Sequence, residues 1–534
     1  MLAGLELGAR LAFPPPEYLE GRPYDPDLGF RGPANLVLEN DDPAGAFEFR
    51  LSSLGFRGPE LPDGPKEPGE PLRCLFVGDS FLMGWRVRRE QLIPFAAEAA
   101  ARELGTDMKS YSIACDGYGT TQELLLLRRH GARVQPDVVV LCLFLGNDVA
   151  DNSIDLVGYT RVSPGGYVRP FLQSTTDGEW KTTWLHPARQ ALRKRSRFYQ
   201  MIEHRLLRQR WLDPRDRARD ALLADSERMR AGLLPRDYLE LFTPVPGPRL
   251  ERAWEATGLA LSAFDEEVRS LGAKLLVAVL PHKFQVQRDA IYYGLEHRLA
   301  QADQPSLEGR VDWGVPEIRL AATLAEQEIE VLFLSEPLRR ETHRTERSVF
   351  LRDGHLSGSG HELVGHEIAR VLPELAAERS VTTGAGQGDP VDLPERILRA
   401  RTRFDFAAET WPELVGMGWH GWRRDWYGET AGWAMTSHGE LLLPPHSGEL
   451  LLRGWLPEVV EVPVSIRVNG QTHEVEETGP FELRQTVAPP ERDAAFQWLV
   501  LETSTAFDLW DGRRGGLVLV EIELAETAGD EGGE

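Results

Sequence analysis

Short, continuous apolar runs recur through the first two thirds of the chain. They are rich in Val, Leu and Phe and occur at residues 74–77, 137–146, 273–281 and 330–335. Such runs are typical of strands buried on both faces, as in a parallel sheet covered by helices. Between them, apolar positions recur with helical spacing over residues 92–104, 124–133 and 259–271. Strands that alternate with helices predict an α/β domain over residues 73–377.

The pattern changes after a predicted last helix over residues 360–372. Residues 378–395 are a linker by composition. Residues 396–534 carry short, often alternating strands separated by Pro, Gly and Asn-Gly turns, which predicts a smaller β-sandwich domain. Residues 1–72 are rich in Pro and Gly, and we expect an extended segment that packs on the α/β domain.

An Arg-rich helical insertion at about residues 186–240 interrupts the α/β pattern. Its apolar stripe comprises Tyr199, Ile202, Leu206 and Trp211. The preferred interpretation is a solvated helix packed over the domain. The alternatives are a lip over a substrate and a patch for acidic glycans or lipid surfaces.

Composition excludes some classes of function. The 534 residues carry a formal net charge of −23, which argues against nucleic acid, because phosphates would be repelled. Three cysteines in apolar surroundings predict buried thiols. No apolar run has the length of a membrane-spanning helix, and the N-terminus lacks a signal-peptide pattern. We therefore expect a cytoplasmic protein by default, with the cell envelope as the alternative if the true start lies upstream.

Four polar motifs follow predicted strands or precede helices. Ser80 lies in "GDSF", Gly117 in "ACDG", Asn147 in "GND", and Asp353 and His355 in "RDGH". Each motif alone has a plain structural interpretation, as a helix cap or a turn. Together they lie where the carboxyl ends of parallel strands meet, which is where ligands collect in open α/β sheets.

These residue types supply what acyl transfer requires. Ser80 is a candidate nucleophile, His355 a candidate base, and Asp353 a candidate partner that orients the imidazole. The N–H groups of Ser80 and Gly117 and the side-chain amide of Asn147 could hold the oxyanion of a tetrahedral intermediate.

The chain resembles the SGNH/GDSL hydrolase family, whose blocks contribute Ser, Gly, Asn and His in this order. The resemblance covers about residues 50–375, and "LGFRGPEL" and the stretch after Ser80 are similar to a branch found beside polysaccharide-modifying enzymes. It implies a flavodoxin-like three-layer α/β/α sandwich and a serine hydrolase without metal or cofactor. The chain departs from the family pattern at Ser112, where Asn is usual, at Phe81, where Leu is usual, and in the short Asp353-Gly354-His355 spacing.

The leading hypothesis is a serine esterase that removes an O-acetyl or other short acyl group from a carbohydrate. The alternatives are an O-acetyltransferase acting on a glycan and an inactive glycan-binding protein. Asp79 and Asp148 are expected to support their turns by hydrogen bonds. Five tryptophans of the β-sandwich suggest either sugar stacking or core packing: Trp419, Trp422, Trp426, Trp433 and Trp455. The sequence makes no prediction of the oligomeric state.

Overall fold

A five-stranded parallel sheet forms the centre of the first domain. The structure is a computed structural model, and it describes residues 2–12, 17–19, 22–40, 46–156, 169–174, 180–184, 187–203, 237–377, 380–386, 388–398, 401, 403–407, 413–416, 419–426, 430–435, 438–460, 462–487, 496–504, 507–508 and 514–526. The strands are β1 (Leu72–Gly78), β2 (Met108–Ala114), β3 (Val138–Phe144), β4 (Lys274–Leu280) and β5 (Glu330–Phe333). Their order is β5-β4-β3-β1-β2. From the other edge this is the 2-1-3-4-5 order of flavodoxin-like folds, so the predicted fold is confirmed.

Helices cover both faces of this sheet. They are α1 (Ser80–Met83), α2 (Ile93–Glu103), α3 (Thr120–Val134), α4 (Asp148–Asp151), α5 (Pro248–Ser270), α6 (Lys283–Val286), α7 (Ala290–Gln301), α8 (Val315–Glu326), α9 (Ser335–Thr345) and α10 (Gly358–Ala376). Alternate strand residues such as Val77 and Leu141 pack with α3 and α5. Their neighbours, such as Phe76 and Val140, pack with α2 and α10. This two-sided burial explains why the inner strands appear as continuous apolar runs.

Helices α2 and α10 cross at Gly365. A Cβ atom there would lie 2.7 Å from the Cβ atom of Ala96 and 2.8 Å from the backbone nitrogen of Ala97. Any side chain would therefore force the helices apart. The close contact fixes α10, which follows directly on the segment carrying Asp353 and His355.

The N-terminal segment has more regular structure than the sequence predicts. It begins with the helix Leu2–Ala12 and continues in short antiparallel strands: Glu17–Leu19, Arg22–Asp25, Gly29–Phe30, Val37–Asn40 and Phe47–Arg50. It packs on the α/β domain, where Tyr118 donates a hydrogen bond to the carbonyl of Phe30 at 2.6 Å. The buried Arg57 side chain donates to the carbonyls of Met83 and Gly84, at the end of α1. This segment therefore supports the loop that follows Ser80.

The insertion is described only in part. It follows a hairpin that pairs Pro170–Ser174 with Trp180–Trp184, and it begins with the helix Pro187–Arg195 and a helical stretch over 197–203. Buried Arg193 forms an ion pair with Glu203 at 2.6 Å. Ile202 is 45% exposed, and Leu206 and Trp211 lie outside the described residues.

Two antiparallel sheets form the second domain, which confirms the predicted β-sandwich. Its strands are β6 (Arg403–Asp405), β7 (Trp419–Trp426), β8 (Thr430–Met435), β9 (His438–Leu443), β10 (Gly448–Leu456), β11 (Val464–Val468), β12 (Gln471–Val475), β13 (Gly479–Val487), β14 (Gln497–Thr503) and β15 (Leu517–Glu526). One sheet has the order β7-β8-β15-β10-β13, with β6 also paired to β15, and the other has the order β9-β14-β11-β12. A further short pair joins Phe507–Asp508 to Arg514–Gly515.

Three of the sandwich tryptophans are core residues. Trp419, Trp433 and Trp455 are 4%, 4% and 5% exposed and belong to the apolar core between the sheets. Their rings are therefore not available for stacking on a sugar, and core packing is the correct interpretation for them. The side chains of Trp422 and Trp426 lie outside the described residues.

The segment predicted as a linker runs along the α/β domain. The Thr383 N–H donates to the carbonyl of Val331 on β5, at 2.9 Å. Val391–Asp392 then pairs in parallel with Gln287–Arg288, and the short helix Leu393–Leu398 contributes to the sandwich core. The three cysteines are free and buried, as predicted. None of the helices in the described part of the chain is long and apolar enough to cross a membrane.

Candidate active site

Ser80 lies where β1 ends and the short helix α1 begins. Asp79 caps this helix, and its carboxylate accepts a hydrogen bond from the Phe81 N–H at 2.9 Å. The hydroxyl of Ser80 lies 2.9 Å from Nε2 of His355, although 275 positions separate the two residues. This distance is within the range in which a base can take a proton from a nucleophile. The structure therefore brings together the first and last of the four motifs.

The segment that carries Asp353 and His355 is a tight turn. Gly354 has a φ of +94°, a conformation that favours glycine. The Leu351 N–H donates to the carbonyl of His355 at 2.6 Å and closes the turn. Nδ1 of His355 then lies 3.2 Å from Oδ1 of Asp353. The short Asp-Gly-His spacing thus allows contact between the two side chains, because glycine reverses the chain between them.

Electrostatics couple the carboxylate to the imidazole. Partial desolvation by itself would raise the pKa of Asp353, but the hydrogen bond and charge of His355, with the nearby Arg86, bring that pKa well below its usual range. Burial opposes protonation of His355, yet Asp353 raises its pKa above the usual value, and Asp79 and Asp116 add to this effect. The arrangement favours an imidazolium, the form that a general base reaches after accepting a proton.

Phe81, one of the departures from the family pattern, forms an aromatic wall beside the imidazole. Its ring centroid lies 5.0 Å from that of His355. The ring also stacks on that of Phe144, with 3.8 Å between the two centroids. The His355 side chain remains 37% exposed. The imidazole is therefore packed on one side and open to solvent on the other.

Gly117 lies in the loop between β2 and α3 and has a φ of +73°. A Cβ atom there would meet only Nη1 of Arg22 within 4 Å, at 3.7 Å, so backbone conformation is the reason for glycine at this position. Among the residues that the structure describes, no acceptor takes a hydrogen bond from the Gly117 N–H. Its carbonyl accepts from Nη2 of Arg169 at 2.8 Å. Ser112, near the end of β2, has a buried hydroxyl without a hydrogen-bond partner in the described part of the chain.

Asn147 follows β3, and two carboxylates orient its side-chain amide. Its Nδ2 atom lies 3.4 Å from Oδ2 of Asp79 and 3.2 Å from Oδ2 of Asp151. Asp79 directly precedes Ser80, so the amide is directed towards the start of α1. Asp148 is buried and accepts a hydrogen bond from the Phe144 N–H at 2.8 Å, which holds the turn after β3.

A cluster of buried carboxyl groups lies beneath this region. Burial raises the pKa of Asp79 to about 7, raises that of Asp151, and raises those of Glu123 and Asp148 well above the usual range. The repulsion among them acts in the same direction for Glu123 and Asp148. Both carboxyl oxygens of Glu123 lack a hydrogen-bond partner among the described residues. Burial and this repulsion therefore favour the neutral form of Glu123.

Sequence reasoning missed Glu123, Asp151 and Arg169. Glu123 is on the buried side of α3, next to Leu124. A charged residue beside apolar core positions is the feature of the sequence that could have indicated it. Asp151 lies four residues after Asn147, on the same side of the short helix α4. Arg169 has no such signal, because its neighbours in the sequence form no periodic pattern.

The chain has structural neighbours but no family-model match. No protein-family model and no curated protein matches it. One similar solved structure is a two-domain esterase active on acetylated mannans, with 12% identity, 86% of this chain and 92% of that chain covered, and a TM-score of 0.28. Another is the acetyl xylan esterase AlAXEase, with 10% identity, 56% and 99% covered, and a TM-score of 0.29. A third, from Desulfitobacterium hafniense, is described as lipolytic and of the G-D-S-L family, with 12% identity, 56% and 99% covered, and a TM-score of 0.27.

At these identities and TM-scores, the neighbours do not indicate the activity of this chain. The fold assignment stands on the strand order and on the four motifs at the ends of the strands. The first domain is a flavodoxin-like α/β/α sandwich, and an all-β domain follows it. In the described ranges, no group of three or more His, Cys, Asp or Glu side chains is arranged to hold a metal ion.

Proposed function

We propose that the chain is a serine esterase of the SGNH/GDSL type. The observation that carries this proposal is the chain of contacts from Ser80 through His355 to Asp353, at 2.9 Å and 3.2 Å. A serine hydroxyl held by an imidazole that in turn contacts a carboxylate is the arrangement that activates a weak nucleophile.

In the proposed reaction, Nε2 of His355 takes the proton of Ser80 as Oγ attacks the ester carbonyl. The negative charge then forms on the carbonyl oxygen, which the N–H groups of Ser80 and Gly117 and the amide of Asn147 would stabilise. Collapse of this intermediate expels the alcohol, which takes the proton from His355. A water molecule, deprotonated by His355, attacks the acyl-enzyme, and the acid leaves as Oγ regains its proton.

For the substrate, we propose an O-acetyl or other short acyl ester, with a carbohydrate as the alcohol. The resemblance to a branch found beside polysaccharide-modifying enzymes motivates this choice. The same acyl-enzyme could transfer its acyl group to a sugar hydroxyl instead of water. Comparing the rates of acid release and ester formation with an acetyl donor and a glycan acceptor separates hydrolysis from transfer.

The test is hydrolysis of p-nitrophenyl acetate by the wild type and by Ser80→Ala. We expect the variant to lose activity and labelling by a fluorophosphonate probe, with an unchanged melting temperature. Ser270→Ala is the matched control, because this exposed serine lies at the end of α5. Undiminished hydrolysis by Ser80→Ala would refute the assignment. A panel of esters from acetyl to long acyl chains, including acetylated sugars, then defines the substrate.

A further inference from the structure

Arg169 is a buried arginine outside the four motifs. It directly precedes the strand Pro170–Ser174, and its side chain is 1% exposed. A guanidinium group this deeply buried requires charged or polar partners, because an unpaired buried charge is strongly destabilising.

Its partners are the two structural elements that carry oxyanion-hole candidates. Nη1 forms an ion pair with Oδ1 of Asp151 at 2.8 Å, and Nη2 donates to the carbonyl of Gly117 at 2.8 Å. The other carboxylate oxygen of Asp151 accepts from the amide of Asn147 at 3.2 Å. The guanidinium therefore links the loop of Gly117 to the side chain that orients Asn147.

The ion pair between Arg169 and Asp151 affects both oxyanion-hole candidates. Burial raises the pKa of Asp151, and the charge and hydrogen bond of Arg169 oppose that rise. Asp151 holds one N–H of the Asn147 amide at 3.2 Å, and the other N–H, which makes the longer 3.4 Å contact to Asp79, is the one that would turn to the oxyanion. The bond to the Gly117 carbonyl fixes the backbone of the residue whose own N–H is the second candidate donor.

We propose that Arg169 is a positioning residue that holds Gly117 and Asn147 in the geometry needed to stabilise the oxyanion. This inference rests on the proposed esterase function. Removing one oxyanion donor typically lowers turnover about 10²–10³-fold. Because loss of Arg169 would misalign two donors and remove neither, we expect a loss of about 10–10²-fold.

The test is a kinetic cycle with Arg169→Met and Asn147→Ala, separately and combined. We expect Arg169→Met to lower kcat about 10–10²-fold, with KM changed less than threefold. In the Asn147→Ala background the same substitution should cost clearly less, because part of its effect passes through Asn147. Arg169→Lys keeps the charge but not the two-pronged geometry, so we expect it to recover part of the loss.

Arg193→Met is the matched control, because Arg193 is equally buried and forms an ion pair with Glu203 within the insertion. We expect that variant to lose stability but to keep kcat. Wild-type kcat in Arg169→Met, or losses that are fully additive with Asn147→Ala, would overturn the proposal. A wild-type protein that neither hydrolyses esters nor reacts with a fluorophosphonate would instead refute the esterase function. The two failures are therefore distinguishable.

Discussion

Replacing Asp353 by Asn tests the electrostatic part of the proposed mechanism. The substitution keeps the size of the side chain and an oxygen acceptor for Nδ1 of His355, but it removes the negative charge. If the charge stabilises the imidazolium that forms with the tetrahedral intermediate, kcat should fall while KM changes little.

The contact geometry sets the magnitude. Two unit charges about 4 Å apart attract by ~1 kcal/mol in water and ~4 kcal/mol at an effective dielectric constant of ~20. The side chains of Asp353 and His355 are 49% and 37% exposed, so this pair lies between those limits. A loss of about 1–4 kcal/mol corresponds to a fall in kcat of about 5- to 10³-fold. A fully buried triad aspartate costs about 10⁴-fold when replaced by Asn, so exposure should make this effect smaller.

The assay is the pH dependence of kcat/KM with p-nitrophenyl acetate. His355 must be neutral to accept a proton, so activity should fall about tenfold per pH unit below its pKa. Because Asp353 raises that pKa, the acidic limb of Asp353→Asn should move to lower pH. Asp303→Asn, an exposed aspartate beyond α7, is the control. A fall in kcat of less than threefold, with the acidic limb of the pH profile unmoved, would refute the role of Asp353. A fall of about 10⁴-fold would show that solvent exposure does not weaken the interaction.

Two further predictions concern stability. Arg352 donates to the carbonyls of Gly416 and Trp419 at 2.5 and 2.8 Å, and each bond from a charged donor contributes ~1.5–3 kcal/mol. We therefore expect Arg352→Met to lower the free energy of unfolding by about 3–6 kcal/mol in urea titrations, unlike Arg344→Met at an exposed helical site. Burial raises the pKa of Glu123 well above its unfolded value, so the folded state keeps a proton that the unfolded state releases. The free energy of unfolding therefore falls by ~1.4 kcal/mol per pH unit between the two pKa values. The melting temperature of Glu123→Gln should therefore gain on that of the wild type as the pH rises above the ordinary glutamate pKa of ~4.3, and a constant difference would contradict this reasoning.

The sequence predicts the inner strands well because burial on both faces leaves a continuous apolar run. The edge strand β2 has no continuous apolar run, because Lys109 and Ser110 interrupt its apolar residues and only one of its edges is paired. Helix α5 begins at Pro248, well before the predicted start at residue 259, and Gly258 obscures its first half. Gly258 lies where a Cβ atom would be 3.3 Å from Thr323, so packing against α8 accounts for this residue better than helix propensity does.

For the site, the order of the motifs predicts which residues come together, but it does not predict the contacts that position them. Ser80 and His355 were expected to meet, and they lie within hydrogen-bond distance. Arg169 was not predicted, because a contact across 52 positions leaves no local pattern in the chain. The same holds for Arg352, whose partners lie 64 and 67 positions away in the second domain.

Contacts of Arg352 connect the second domain to the segment that carries Asp353 and His355. Its side chain donates to the β-sandwich at Gly416 and Trp419, and its own carbonyl accepts from Nζ of Lys283 at 3.2 Å. Lys283 is buried and paired at 2.6 Å with Asp289, at the start of α7 in the α/β domain. The backbone directly before Asp353 is thus held from both domains. Since a shift of about 1 Å in a reacting group can cost ~10²-fold in rate, loosening this anchor should lower turnover as well as stability.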